Sequence, residues 1–84
     1  HEGLLELKKH DKENQTQYME TLRVYLEQHL SATQAARELF IHRSTFLYRL
    51  DRIKEILQSE LDDPEEIFYL ELSFRLLEQE QEKE

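Results

Sequence analysis

The sequence contains no cysteine and no tryptophan, and only one glycine (Gly3) and one proline (Pro64). Without cysteine there are no disulfides, no thiolate metal sites and no cysteine nucleophile, a usage that suits a reducing compartment. So little glycine and proline leaves almost no hairpin turn chemistry, which excludes an all-β fold. No apolar run approaches the ~20 residues of a membrane-spanning helix, and no signal-peptide pattern is present. At 84 residues the chain suits one small domain with a modest core and is too short for a large catalytic one. It opens on His1-Glu2-Gly3, without methionine, and reads as part of a longer protein.

Charge is what the sequence has in quantity. Charged residues make up 36% of the chain against 38% hydrophobic, and the formal net charge is −8. Taken whole, that balance opposes nucleic acid, because phosphate binding requires positive potential. Its distribution reverses the conclusion. From residue 60 onward Glu60, Asp62, Asp63, Glu65, Glu66, Glu71, Glu78, Glu80, Glu82 and Glu84 face only Arg75 and Lys83, so residues 1–59 are neutral. Between 31 and 59 Arg37, Arg43, Arg49, Arg52 and Lys54 outnumber Glu38, Asp51 and Glu55, and the middle is locally basic. Residues 78–84 read as an acidic, solvated helix end.

Periodicity predicts an all-α chain of four helices. Residues 1–17, with a Leu4-Leu5-Leu7 patch and an aperiodic polar stretch, read as a linker or the remnant of a preceding region. Apolar residues at 18, 19, 22, 25, 26 and 30 predict a first helix from Tyr18 to about His29, with Asn14 or Thr16 as its cap. Ser31-Ala32-Thr33-Gln34 has the form of a capping box and starts a short helix, Ala32–Leu39, carrying the small pair Ala35-Ala36. Phe40-Ile41-His42 interrupts the pattern. A third helix, Arg43–Leu57, follows with Phe46, Leu50, Ile53 and Leu57 on one face. Asp63-Pro64-Glu65-Glu66 places a cap, a first-turn proline and early acids at the start of a fourth helix.

A short helix with an alanine pair, a three-residue turn and a longer helix have the arithmetic of a helix-turn-helix. Ala35, Ala36 and Leu39 permit close packing, and Ile41 pins the corner. Projected at about 100° per residue, Ser44, Thr45, Tyr48 and Arg52 lie opposite the apolar face, and Arg43 opens the helix. Arg43, Ser44, Thr45 and Tyr48 are therefore candidate base contacts, confined to the first two turns because Asp51 repels phosphate further on. Arg37, Arg52 and Lys54 are candidate phosphate contacts. Arg49 projects near the edge of the core face, where either a phosphate or an acid of another helix could pair with it.

These residues also resemble a known family. Thr21-Leu22-Arg23-Val24-Tyr25-Leu26-Glu27, the run from Ala35 to Leu50 and Leu61-Asp62-Asp63-Pro64 are similar to the C-terminal helix-turn-helix domain of the PucR/CdaR regulators over about residues 18–77. His-Arg-x-Thr-x-x-Tyr-Arg-Leu (42–50) is the most specific part. The resemblance implies a Fis-like domain of a cytoplasmic, nucleoid-associated bacterial transcription regulator whose effector-sensing N-terminal region lies outside this sequence. It also implies that His42 faces the major groove with Arg43, Thr45 and Tyr48, and that Ser31 and Thr33 touch phosphate. Where the family usually has glycines, this chain has Gln28-His29-Leu30 and Gln58-Ser59, so less sharply turned helix exits are expected.

Other chemistries find no support. The four histidines show no i, i+3 or i, i+4 pair for a helical metal site, and there is no Gly-rich phosphate loop and no Ser–His–carboxylate pattern. We expect neither an enzyme nor a cofactor. The last helix carries two apolar faces: Ile67, Leu70, Phe74 and Leu77 form one, and Phe68, Leu72 and Leu76 a second. A small domain can bury only the first. The second predicts a homodimer interface, unless the Leu4-Leu5-Leu7 segment folds over it. The competing functional class is an acidic protein-interaction module that does not bind DNA.

Overall fold

The computed structural model describes residues 1–82, with side chains to residue 80. Among the described residues there are five helices and no strand: α1 (Glu2–Asn14), α2 (Tyr18–Glu27), α3 (Ala32–Leu39), α4 (Arg43–Leu57) and α5 (Pro64–Glu82). Each element predicted from Tyr18 onward is present. The acidic run at 78–84 continues α5 to Glu82, and its last two residues lie outside the described residues.

The count of four helices is corrected by α1, which forms where a linker was expected. Its signal is short because one turn carries the anchoring: Leu4 and Leu7 share a face and are 4% and 0% exposed, while Leu5 points to solvent. His1 Nδ1 accepts from the Gly3 amide at 3.0 Å and caps the start. A Cβ added to Gly3 would sit 2.8 Å from Leu57 Cδ2, so the lone glycine lets α1 close onto the end of α4.

α1 also starts α2. Asp11 Oδ1 accepts from Tyr18 N at 2.9 Å and Oδ2 from Met19 N at 2.8 Å, satisfying two orphan donors of the next helix. The expected caps act elsewhere. Thr16 Oγ1 donates to Asp11, and Asn14 Nδ2 donates to the His10 carbonyl at 3.1 Å.

The core forms around α4, whose Phe46, Leu50, Ile53 and Leu57 are all buried. Leu4 and Leu7 of α1, Leu22 of α2 and the α3 alanines complete it, and Tyr25 lies 5.6 Å from Phe46, ring to ring. Burial pushes the Tyr25 phenol above its ordinary range. α5 docks on α2 through Leu70 and Phe74, and Asp63 caps it by accepting from Glu65 N at 3.0 Å.

Helix exits expected to be blunt are sharply turned. His29 (φ 55°), Leu30 (φ 63°) and Gln58 (φ 55°) occupy the left-handed region without being glycine. The turn geometry is kept at a conformational cost of about 1 kcal/mol per residue.

Candidate nucleic-acid interface

α3 and α4 meet through Ala35 and Ala36, which are 0% and 4% exposed and let the backbones approach. Ser31 opens α3, its Oγ accepting from Gln34 N at 3.2 Å. That bond leaves the hydroxyl proton available to an outside acceptor. α3 stops where Phe40 turns left-handed, with Phe40 N donating to the Arg37 carbonyl and Ile41 N to that of Ala36. Ile41 packs on the core, and His42 resumes an extended backbone at the N-cap of α4. The His42 side chain makes no cap bond, so it remains exposed beside the first amides of α4.

The outer face of α4 matches its projection. His42, Arg43, Ser44, Thr45 and Tyr48 are all exposed, and Tyr48 at 64% is not packed against a neighbouring helix. Thr33 and Arg37 are exposed on α3, and Ser31 is half-buried. Asp51 is exposed as projected.

The cations divide by environment. Arg23, outside this face, is held between Glu20 and Glu27, with the Glu27 contact at 2.6 Å, and the bond to Glu20 pushes its pKa further up. Arg37, Arg43, Arg49 and Lys54 make no ion pair among the described residues. Arg52 pairs with Glu55 at 2.8 Å on an exposed surface, a contact of at most about 1 kcal/mol that a phosphate can displace.

Arg49 finds no acid among the described residues and is only partly open to solvent. It is half-buried, and its Nη1 donates to Thr21 Oγ1 at 3.3 Å; Thr21 in turn donates to the Gln17 carbonyl at 2.7 Å. Thr21 is fully buried, and this cross-helix bond escaped the sequence reading because a lone threonine on an apolar face carries no signal. The other overlooked residue is Phe40, exposed in the turn; the available clue was an aromatic where a tight turn favours glycine.

Among the described residues no group of histidines and carboxylates is placed to hold a metal, and no helix is long and apolar enough to cross a membrane.

The family model described as the PucR C-terminal helix-turn-helix domain matches residues 18–76. The chain belongs to this PucR family. Three relatives from Bacillus subtilis (strain 168) agree. The purine catabolism regulatory protein is 41% identical over 58 residues, 69% of this chain and 11% of its own length. The proline-responsive transcriptional activator PutR is 39% identical over 57 residues, 68% and 14% respectively. The DNA-binding transcriptional activator AdeR is 32% identical over 74 residues, 88% and 18%. The chain thus spans less than a fifth of each of these relatives. No solved structure gives a significant match. The matched family is a helix-turn-helix domain of transcription regulators, and AdeR is by name a DNA-binding activator. The match begins at α2, so α1 lies outside the family model although it supplies part of the core.

Proposed function

We propose that this PucR domain binds double-stranded DNA sequence-specifically, with α4 in the major groove, as the DNA-reading part of a regulator acting in the bacterial cytoplasm. The observation that carries the reading is the exposed face of the first two turns of α4. Its cation and hydroxyls have no protein partner among the described residues, while Phe46, Leu50 and Ile53 on the opposite face are buried. His42, Arg43, Ser44, Thr45 and Tyr48 read base edges. Arg37, Arg52 and Lys54 hold phosphates, joined by the hydroxyls of Ser31 and Thr33. Arg49, anchored on Thr21 through one nitrogen, offers its remaining donors to a phosphate at the rim.

The same reading includes a twofold dimer. Phe68, Leu72 and Leu76 are 67%, 43% and 54% exposed, and Tyr69 beside them is 52% exposed. The Leu4-Leu5-Leu7 segment does not cover them, since Leu4 and Leu7 are spent in the core. Two copies joined through α5 would present two recognition helices for half-sites about one DNA turn apart.

Gel mobility with a random duplex, followed by footprinting of the full regulator on its own upstream DNA, tests the reading. Four phosphate-binding cations per copy predict that log affinity falls against log salt with a slope of about −3 to −4 per copy. Absence of any shift at low salt would refute it and leave the acidic interaction module standing.

A further inference from the structure

Among the described residues Phe40 is the most exposed large apolar side chain, at 94%. Its backbone is left-handed (φ 57°, ψ 41°), the conformation that glycine adopts without steric penalty. Neither burial nor backbone preference accounts for an aromatic here. An outlier that gives nothing back to the fold directs attention to function.

The surroundings indicate what covers the ring. Phe40 and His42 flank Ile41, which packs inward, and two residues along the chain are separated by at most about 7 Å. Phe40 therefore sits at the entrance to α4, beside the residues proposed to read DNA. Arg37, three residues earlier, and Arg43, three later, are both exposed and without an ion pair among the described residues. An exposed aromatic ring flanked along the chain by two cations without ion pairs suits a partner that is anionic yet presents apolar edges. The edge of a DNA groove has that chemistry, with a phosphate for Arg37, the deoxyribose face for the ring and base edges beyond it for Arg43. An apolar protein patch would have to desolvate both guanidinium groups.

We propose that Phe40 is itself a DNA contact, its ring packed on a deoxyribose at the groove edge between the phosphate held by Arg37 and the base edge read by Arg43. The contact rests on the DNA-binding reading above and extends it to a residue outside the recognition helix. Because the ring carries no charge, it adds affinity without releasing counterions, and because every nucleotide has a deoxyribose, it adds affinity on any sequence.

The test uses this chain, a random duplex of about 30 base pairs, long enough for two copies one turn apart, and a salt series. Phe40→Asn keeps a residue that tolerates the left-handed backbone and removes the ring; Phe40→Tyr keeps the ring. Phe40→Asn is expected to keep its helical circular dichroism and to lose about tenfold in affinity at every salt concentration, with the slope unchanged. Phe40→Tyr is expected to bind as the wild type does. Phe40→Gly is expected to melt higher than the wild type while binding DNA more weakly, opposite signs that a damaged fold would not give. Wild-type affinity in Phe40→Asn would overturn the contact and turn attention to a protein partner. A reduced salt slope would also overturn it, by showing that the arginines had been displaced. Failure of the wild type to bind any duplex would instead remove the DNA reading on which the contact depends.

Discussion

At the scale of single residues, several side chains hold backbone shapes their chemistry does not favour. Gln58 ends α4 at φ 55°, and its amide closes the last turn onto the Glu55 carbonyl. Gln58→Gly is expected to stabilise the fold by roughly 0.5–1 kcal/mol, seen as a melting point several degrees higher. A lower melting point would show that the glutamine makes a contact worth more than its strain. Two of the three arginines of α4, Arg43 and Arg52, separate by environment. Arg43→Ala is expected to cost about 1–3 kcal/mol of specific binding and to relax preference at one base position. Arg52→Ala, at a residue that shares its charge with Glu55, is expected to weaken all sequences evenly and flatten the salt slope by about one unit. Competition binding against singly substituted operators distinguishes the two: selective loss for Arg52→Ala, or even loss for Arg43→Ala, would reverse the assignments.

At the scale of elements, what could be read from the sequence was set by the length of each signal. α4 was legible because four apolar residues at spacings of 4, 3 and 4 define a face, and the structure buries all four. α5 was legible from Asp63-Pro64, whose cap the structure contains. The outward residues of α4 followed from the same projection. Arg49 did not, because a residue at the boundary of a face goes wherever a partner lies, and Thr21 supplied the partner. α1 was hidden because two leucines in one turn do not make a period, and because its strongest role belongs to an acid. Asp11 caps a helix seven residues away, a tertiary contact that no local pattern encodes. Asp11→Ala is expected to destabilise the domain by about 1–2 kcal/mol and Leu7→Ala by about 2–5 kcal/mol in urea unfolding. A fragment reduced to the family segment, residues 18–76, should lose most of its cooperative transition. Full retention of stability by that fragment would show α1 to be an accessory.

At the scale of the molecule, the exposed face of α5 would set how strongly copies associate in the proposed dimer. Covering the exposed half of these four large side chains removes roughly 400 Å² per copy, about 800 Å² for a pair. Stable interfaces bury about 1,200–2,000 Å². Free domains should therefore pair weakly and DNA should gather them, since adjacent half-sites raise the effective concentration of the second copy. Sedimentation equilibrium is expected to show a monomer–dimer equilibrium in the upper micromolar range or weaker, with cooperative binding to a two-half-site duplex. Leu72→Glu should abolish both self-association and cooperativity while leaving half-site affinity intact. A dimer that survives Leu72→Glu would place the interface elsewhere.

The seating of α1 has a mechanical consequence. His1 lies 3.3 Å from Glu66 Oε2 and its ring packs near Tyr69, while Gly3 presses on Leu57 at the far end of the recognition helix. The start of α1 is thus a packed seam against α4 and α5. A twist or pull delivered at that seam would bear on the back of α4 within a few residues and on the start of α2 through Asp11. A loosely attached helix would absorb such a movement; α1, wedged as it is, would pass it on to α4, the helix proposed to meet DNA.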